Sequence, residues 1–322
     1  MTRRDMLVAS GIALSVGSLG SFSSCITRKS HSSTSRDKRD LPFRISLNSS
    51  TIRDYKLPVD QQIVLCAEAG FDGIELWVDD VEKYIQNGGT PETLNRQIKQ
   101  LGLVLENMIT FSTWMADDPL LQAKGVRKMH RDMELTARLG GSYIAAPVQG
   151  LSSIERDRLP IYADRYQKLL HEGDQRGVTP LIELWGGGAA NQLSDVTAIA
   201  IGAAHPKASM LLDFYHLHKG DNSFDSLWML NGKMLPLFHI NDYPGDISRE
   251  SLKDSDRIFP GEGICPFHKV IPLLYQTGFR GAFSVELFNT TYSNAMDVKD
   301  LLKQCYHSTC AVIYNNLPKS RK

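Results

Sequence analysis

Four short apolar runs between Thr179 and Asn289 each end in a side chain able to bind a metal ion. They read T-P-L-I-E-L-W with Glu183, S-M-L-L-D-F-Y-H with Asp213, L-P-L-F-H-I-N-D with His239 and A-F-S-V-E-L-F-N with Glu286. A buried strand that ends in a carboxylate or imidazole is costly unless that group is paired or coordinated. Four in succession, separated by segments of helical length, predict a parallel barrel whose strand ends converge on one site at its C-terminal face. Three carboxylates and one imidazole form an oxygen-rich set that suits Mn²⁺, Co²⁺ or Mg²⁺, with Zn²⁺ as a further option.

The rest of the chain reads in the same alternation. F-R-I-S-L-N, F-D-G-I-E-L-W, L-V-L-E-N-M-I and Y-I-A-A-P-V are strands. Helices follow them over Val59–Ala69 (stopping at Gly70), from Pro91 to Leu101, over about 119–139 and over Ile154–Arg176. Further helices are predicted near 194–203, 224–230, 266–276 and 297–315. Eight strand–helix units make an α/β protein, a (β/α)8 TIM barrel in a single domain spanning 43–316, with a short tail at 317–322. The length of 322 residues fits such a unit, which runs to roughly 250 residues or more.

Before the barrel lies a segment of another kind. Arg3 and Arg4 open a run rich in Gly, Ser and Ala that leads to F-S-S-C and Cys25. Residues 1–25 resemble a twin-arginine-type export signal ending in a lipoprotein box, with Cys25 the residue lipidated. Residues 26–42 are polar and rich in Ser and basic groups, and read as a flexible tether. Export to the periplasm, with the membrane met only through the lipid anchor, is the expected location. The five cysteines contain no C-x-x-C pair, so neither a disulfide framework nor a zinc ribbon is expected. The formal net charge of zero, without a dense basic stripe in the barrel segment, excludes nucleic acid as the main partner.

The order Glu183, Asp213-x-x-His216, His239, Glu286 resembles the xylose isomerase-like barrel superfamily, in its sugar isomerase/epimerase branch, from about Phe43 to Asn315. The resemblance implies that Glu183, Asp213, His239 and Glu286 bind one divalent metal ion, and that His216 hydrogen-bonds a substrate oxygen. The D-R-I-F-P-G-E-G stretch resembles the family's Arg and Pro-Gly-x-Gly loop, one residue longer between Arg257 and Pro260. Arg257 then reaches into the pocket and Gly261 and Gly263 form a tight turn. His218, two residues after His216, would share its face on a continuing strand, which leaves an H-x-H metal motif as a further reading.

A divalent ion bound to adjacent carbonyl and hydroxyl oxygens stabilises an enediolate, while Glu183 and Glu286 act as the catalytic acid and base. Trp77, Phe111, Trp114, Trp185, Phe214, Tyr215 and Phe288 stand near strand ends, where rings suit the C–H face of a sugar. Trp77, Trp185 and Glu75 join His216 and Arg257 as expected substrate contacts. The triglycine Gly186–Gly188 has no following Lys or Ser/Thr, so no phosphate cradle is predicted. The expected activity is isomerisation or epimerisation of an unphosphorylated keto-sugar. The same site could instead run a lyase or dehydratase reaction on 3-keto-glycosides or inososes. A non-catalytic sugar-binding lipoprotein is the reading from another class. An endonuclease of the same superfamily would need more histidines than the strand ends supply. Barrels of this family often pair, so the resemblance leaves a homodimer open, and no feature of the sequence selects it.

Overall fold

Alternation with a period of two builds the barrel. The computed structural model describes residues 41–318. Its strands are β1 (Arg44–Asn48), β2 (Gly73–Trp77), β3 (Val104–Ile109), β4 (Tyr143–Pro147), β5 (Thr179–Glu183), β6 (Met210–Asp213), β7 (Leu237–Ile240) and β8 (Ala282–Val285). Each is parallel to its neighbours, and β1 pairs with β8 as well as β2, which closes the sheet. This is the predicted single-domain (β/α)8 barrel. Residues 1–25 with Cys25, most of the tether and the end of the tail lie outside the described residues. Among the described residues, no helix is long and apolar enough to cross a membrane.

The helices are α1 (Val59–Ala69), α2 (Val78–Gln86), α3 (Pro91–Gln100), α4 (Pro119–Arg138), α5 (Leu159–Arg176), α6 (Leu193–Gly202), α7 (Phe214–Lys219), α8 (Phe267–Gln276), α9 (Thr290–Ala295) and α10 (Val298–Asn316). Several differ from expectation, α7 among them, which was not predicted. α5 starts later than predicted, at Leu159, because Pro160 needs no N–H partner in a first turn, and the chain before it makes only a 3-10 turn. The predicted helix near 224–230 is a 3-10 segment, Phe224–Met229. α2 and α9 are additional, and α2 buries Val78 and Val81 directly after β2.

Leu181, Leu211, Leu237 and Ala282 form one cluster with Ala145 and Ile109. Ile182, Leu212, Phe238 and Phe283 belong to the larger core instead. Glu183, Asp213 and His239 each lie two residues beyond a member of the first cluster, so they share its face. A dry floor of aliphatic side chains therefore lies beneath the polar groups at the strand ends.

Candidate active site

Asp213 ends β6 and its side chain turns the chain. One carboxylate oxygen accepts the His216 backbone N–H at 3.1 Å and so caps α7. The strand therefore does not continue through His216 to His218. His216 folds into the cavity, while His218 stacks on Tyr243 with ring centroids 4.0 Å apart, so the H-x-H reading does not hold.

Donor atoms of Asp213, His239 and Glu286 lie within 4.8 Å of one another, all buried. His239 Nδ1 is 3.1 Å from Glu286 Oε2 and 3.6 Å from Asp213 Oδ2, yet has no hydrogen bond to either. Atoms that converge without bonding one another, two anionic oxygens and one imidazole nitrogen, fit a divalent cation. Glu183 lines the same cavity but stands outside that three-atom group. Burial pushes the Glu183 carboxyl up to about 8. Burial also opposes ionisation of Glu286, but the neighbouring His239 and Arg257 charges outweigh it and hold its pKa below the usual value.

Glu75 does not line the cavity. It is fully buried, and its carboxylate accepts from Asn107 Nδ2 at 2.8 Å and faces His239 Nε2 at 3.1 Å. A proton on Nε2 directed at Glu75 would leave the Nδ1 lone pair facing Asp213 and Glu286, and Glu75 stands against the imidazole and away from the cavity.

Arg257 reaches the site as the resemblance implies. It is 1% exposed; Nη1 donates to Asp213 Oδ2 at 3.0 Å and Glu286 Oε2 at 2.6 Å, and Nη2 donates to Asp254 at 2.6 Å. Its Nη2 also lies 3.2 Å from His216 Nε2. The loop that carries it is tied to Asp242, whose carboxylate accepts the backbone N–H groups of Tyr243, Gly261, Gly263 and Cys265. A Cβ at Gly263 would meet the Tyr243 carbonyl and the Asp242 carboxylate, so only glycine lets the chain close on that anchor.

Asn107, noted in the sequence only as a strand-end residue, and three polar residues not singled out there complete the network. Asn48 donates to Glu286 Oε1 at 2.9 Å and accepts from Trp77 Nε1 at 3.0 Å. Asn241 donates to both Asp213 oxygens at 3.1 Å, Asn107 holds Glu75, and Asp242 holds the loop. Asn241 and Asp242 follow the predicted ligand His239 within three residues, which is a signal that could have found them, whereas Asn48 and Asn107 stand on strands without a predicted ligand.

The cavity measures about 540 Å³ and is lined by Glu183, Glu286, His216 and Arg257 together with Trp77, Phe111, Trp185, Tyr215 and Phe288. Phe111 lies between Trp77 and Trp185, 5.4 Å from each by ring centroid. Trp114 and Phe214 are buried and do not line it. Burial pushes the His216 imidazole down to about 4, so at neutral pH the ring is an uncharged hydrogen-bonding group.

The sequence profile of the xylose isomerase-like TIM barrel family matches residues 63–305. The chain belongs to that family. Inosose isomerase of Bacillus velezensis is 24% identical over 266 residues, 79% of this chain and 91% of that protein. The 3-dehydroshikimate dehydratase of Pseudomonas putida is 25% identical over 73% of this chain, which spans only 37% of that longer protein. A structure of the IolI protein with a bound zinc atom superposes with a TM-score of 0.78 at 21% identity, over 86% of this chain and all of that one. L-ribulose 3-epimerase superposes with a TM-score of 0.67 at 18% identity, over 85% of this chain and 95% of that one. The relatives named by activity in these comparisons are enzymes. The structural likenesses show the shared fold.

Proposed function

We propose that this chain is a divalent-metal-dependent enzyme that removes a proton α to the carbonyl of an unphosphorylated, polyhydroxylated ketone and returns it elsewhere, as an isomerase or epimerase. The observation that carries the reading is the placement of Glu183 and Glu286 on one aromatic-walled cavity, with Asp213 and His239 converging on Glu286.

Glu183, Asp213, His239 and Glu286 would hold the ion. When bound, a divalent ion supplies Lewis-acid polarisation of the carbonyl and stabilises developing negative charge, worth several kcal/mol. One of Glu183 and Glu286 takes the proton from carbon, and the C–H electron pair becomes the enediolate double bond. The other returns a proton to the opposite face or to the neighbouring carbon. His216 and Arg257 hydrogen-bond substrate oxygens, and Trp77 and Trp185 pack its C–H face. Closely set rings also keep water from the enediolate.

A second outcome uses the same residues. If a hydroxyl or glycosidic oxygen stands β to the carbonyl, the enediolate expels it and the enzyme is a dehydratase or lyase. Similarity to 3-dehydroshikimate dehydratases supports keeping that outcome beside the first. The Arg3–Arg4 pair and Cys25 support an exported, lipid-anchored enzyme that meets free sugars rather than phosphorylated ones.

The test is incubation of the Mn²⁺-loaded protein in D₂O with free ketoses, inososes, 3-keto-glycosides and polyhydroxy keto acids, followed by proton NMR. Solvent deuterium α to the carbonyl in a product that keeps all its substituents is the expected result. Loss of a β-substituent assigns the dehydratase outcome. The absence of exchange in a folded, metal-loaded protein, or its persistence in both Glu183→Gln and Glu286→Gln, overturns the reading.

A further inference from the structure

Arg53 lies on the 3-10 turn Ser49–Tyr55 after β1 and lines the catalytic cavity. Its guanidinium carbon is 4.1 Å from the Trp77 ring centroid and 5.3 Å from that of Phe288, and both rings line the same cavity. Trp77 is itself held in place, because its Nε1 donates to Asn48, which in turn donates to Glu286. The surface that carries Arg53 is thus connected to the metal cluster through two hydrogen bonds.

The other cations of the cavity wall differ in how they are used. Arg257 is bound by Asp213, Glu286 and Asp254. Lys219 Nζ donates to the backbone carbonyls of Arg249, Glu250 and Leu252. The guanidinium of Arg53 has no hydrogen-bond or ion-pair partner among the described residues, and Lys253 on the same wall has no ion pair among them. The wall's acids leave none over, since Glu183 and Glu286 belong to the reacting site and Asp254 is bound by Arg257. A guanidinium resting on aromatic faces keeps its rigid fork of five N–H donors free at its edge. That fork matches the two oxygens of a carboxylate and forms charge-assisted bonds to them.

We propose that Arg53, carried on Trp77 and Phe288, is a specificity residue that binds a carboxylate of the substrate, so that the preferred substrate is an acidic polyhydroxy ketone rather than a neutral sugar. This rests on the enolisation reading for the chemistry but on Arg53 alone for the choice of substrate. Lys253 adds to the attraction of an anion toward the cavity mouth.

The test is a binding comparison without turnover. D-gluconate and D-sorbitol, two six-carbon polyols of which only the first carries a carboxylate, are titrated into the full chain loaded with Mn²⁺. Tryptophan fluorescence and calorimetry read the binding. The wild-type protein is expected to bind gluconate at least about tenfold more tightly than sorbitol, the worth of a hydrogen-bonded charged group. Arg53→Gln is expected to lose that preference with unchanged Mn²⁺ affinity, and Arg53→Lys to keep part of it. A gluconate preference that survives in Arg53→Gln would put the carboxylate on the metal ion and overturn the proposal. Equal binding of the two polyols, or no gluconate binding, overturns it as well. A protein that prefers gluconate through Arg53 but exchanges no deuterium would retain this inference and lose the enolisation reading. Exchange on neutral ketoses without a gluconate preference would do the reverse.

Discussion

His239 Nε2 lies 3.1 Å from a Glu75 oxygen, while Nδ1 on the other side of the same ring lies 3.1 Å from Glu286 Oε2. One imidazole therefore stands between two carboxylates, Glu75 on its Nε2 side and Glu286 on its Nδ1 side. Glu75→Gln removes the anion but keeps the shape. It is expected to lower Mn²⁺ affinity by about 10–100-fold by calorimetry, the usual cost of losing such a partner. Unaltered affinity would reduce Glu75 to a space-filling residue.

Asp242 holds the Arg257 loop through four backbone N–H groups. In Asp242→Asn an amide NH₂ must replace one oxygen and face two of those donors. A loss of about 2–4 kcal/mol in chemical denaturation is expected, since each buried donor left unpaired costs about 1–3 kcal/mol. Turnover should fall with it, because Arg257 loses its anchor. A variant as stable and active as wild type would show that the loop is held by other contacts.

Leu211 packs beneath Asp213 in the aliphatic floor with Leu181 and Leu237. Leu211→Ala leaves a cavity in a close-packed interior and is expected to cost about 2–5 kcal/mol. Urea denaturation of the metal-free protein measures it. A cost below about 1 kcal/mol would mean that the barrel interior collapses around the gap.

His218 supplies a pH dependence outside the cluster of Asp213, His239 and Glu286. Burial and the neighbouring Arg249 lower its pKa below the ordinary 6.5. In the unfolded chain the ring takes up a proton near its ordinary value, whereas the folded protein resists it until lower pH. The unfolded state therefore binds more protons in that interval, and stability falls as pH falls below about 6.5. His218→Phe keeps a ring on Tyr243 and removes the titration. Its urea midpoint should decline less between about pH 7.5 and 5 than that of wild type, and an identical decline would assign the acid sensitivity elsewhere.

The strand ends were legible because two local rules act together. Side chains alternate across a strand, so Leu181, Leu211 and Leu237 mark the face that Glu183, Asp213 and His239 share. Ligand chemistry then sets Glu, Asp and His apart from their neighbours. Asn48, Asn241 and Asp242 did not stand out at similar positions, and Asn107 carried no assigned role, because their work lies in hydrogen bonds to residues far along the chain. Phe214 and Tyr215 favour strands, but the Asp213 cap outweighs that preference and bends the chain into α7.

By itself the amino-acid sequence determined the alternation of strands and helices, the closed parallel architecture and the polar groups at the strand ends, since these follow from hydrophobic period and the chemistry of single residues. Only the tertiary structure decided which way the His239 ring faces, that Glu75 holds it, that Arg257 is buried on Asp213 and Glu286, and that Arg53 rests on Trp77 with its donors free. Each of these depends on distances between residues tens to hundreds of positions apart, which chain closure sets and no local pattern encodes.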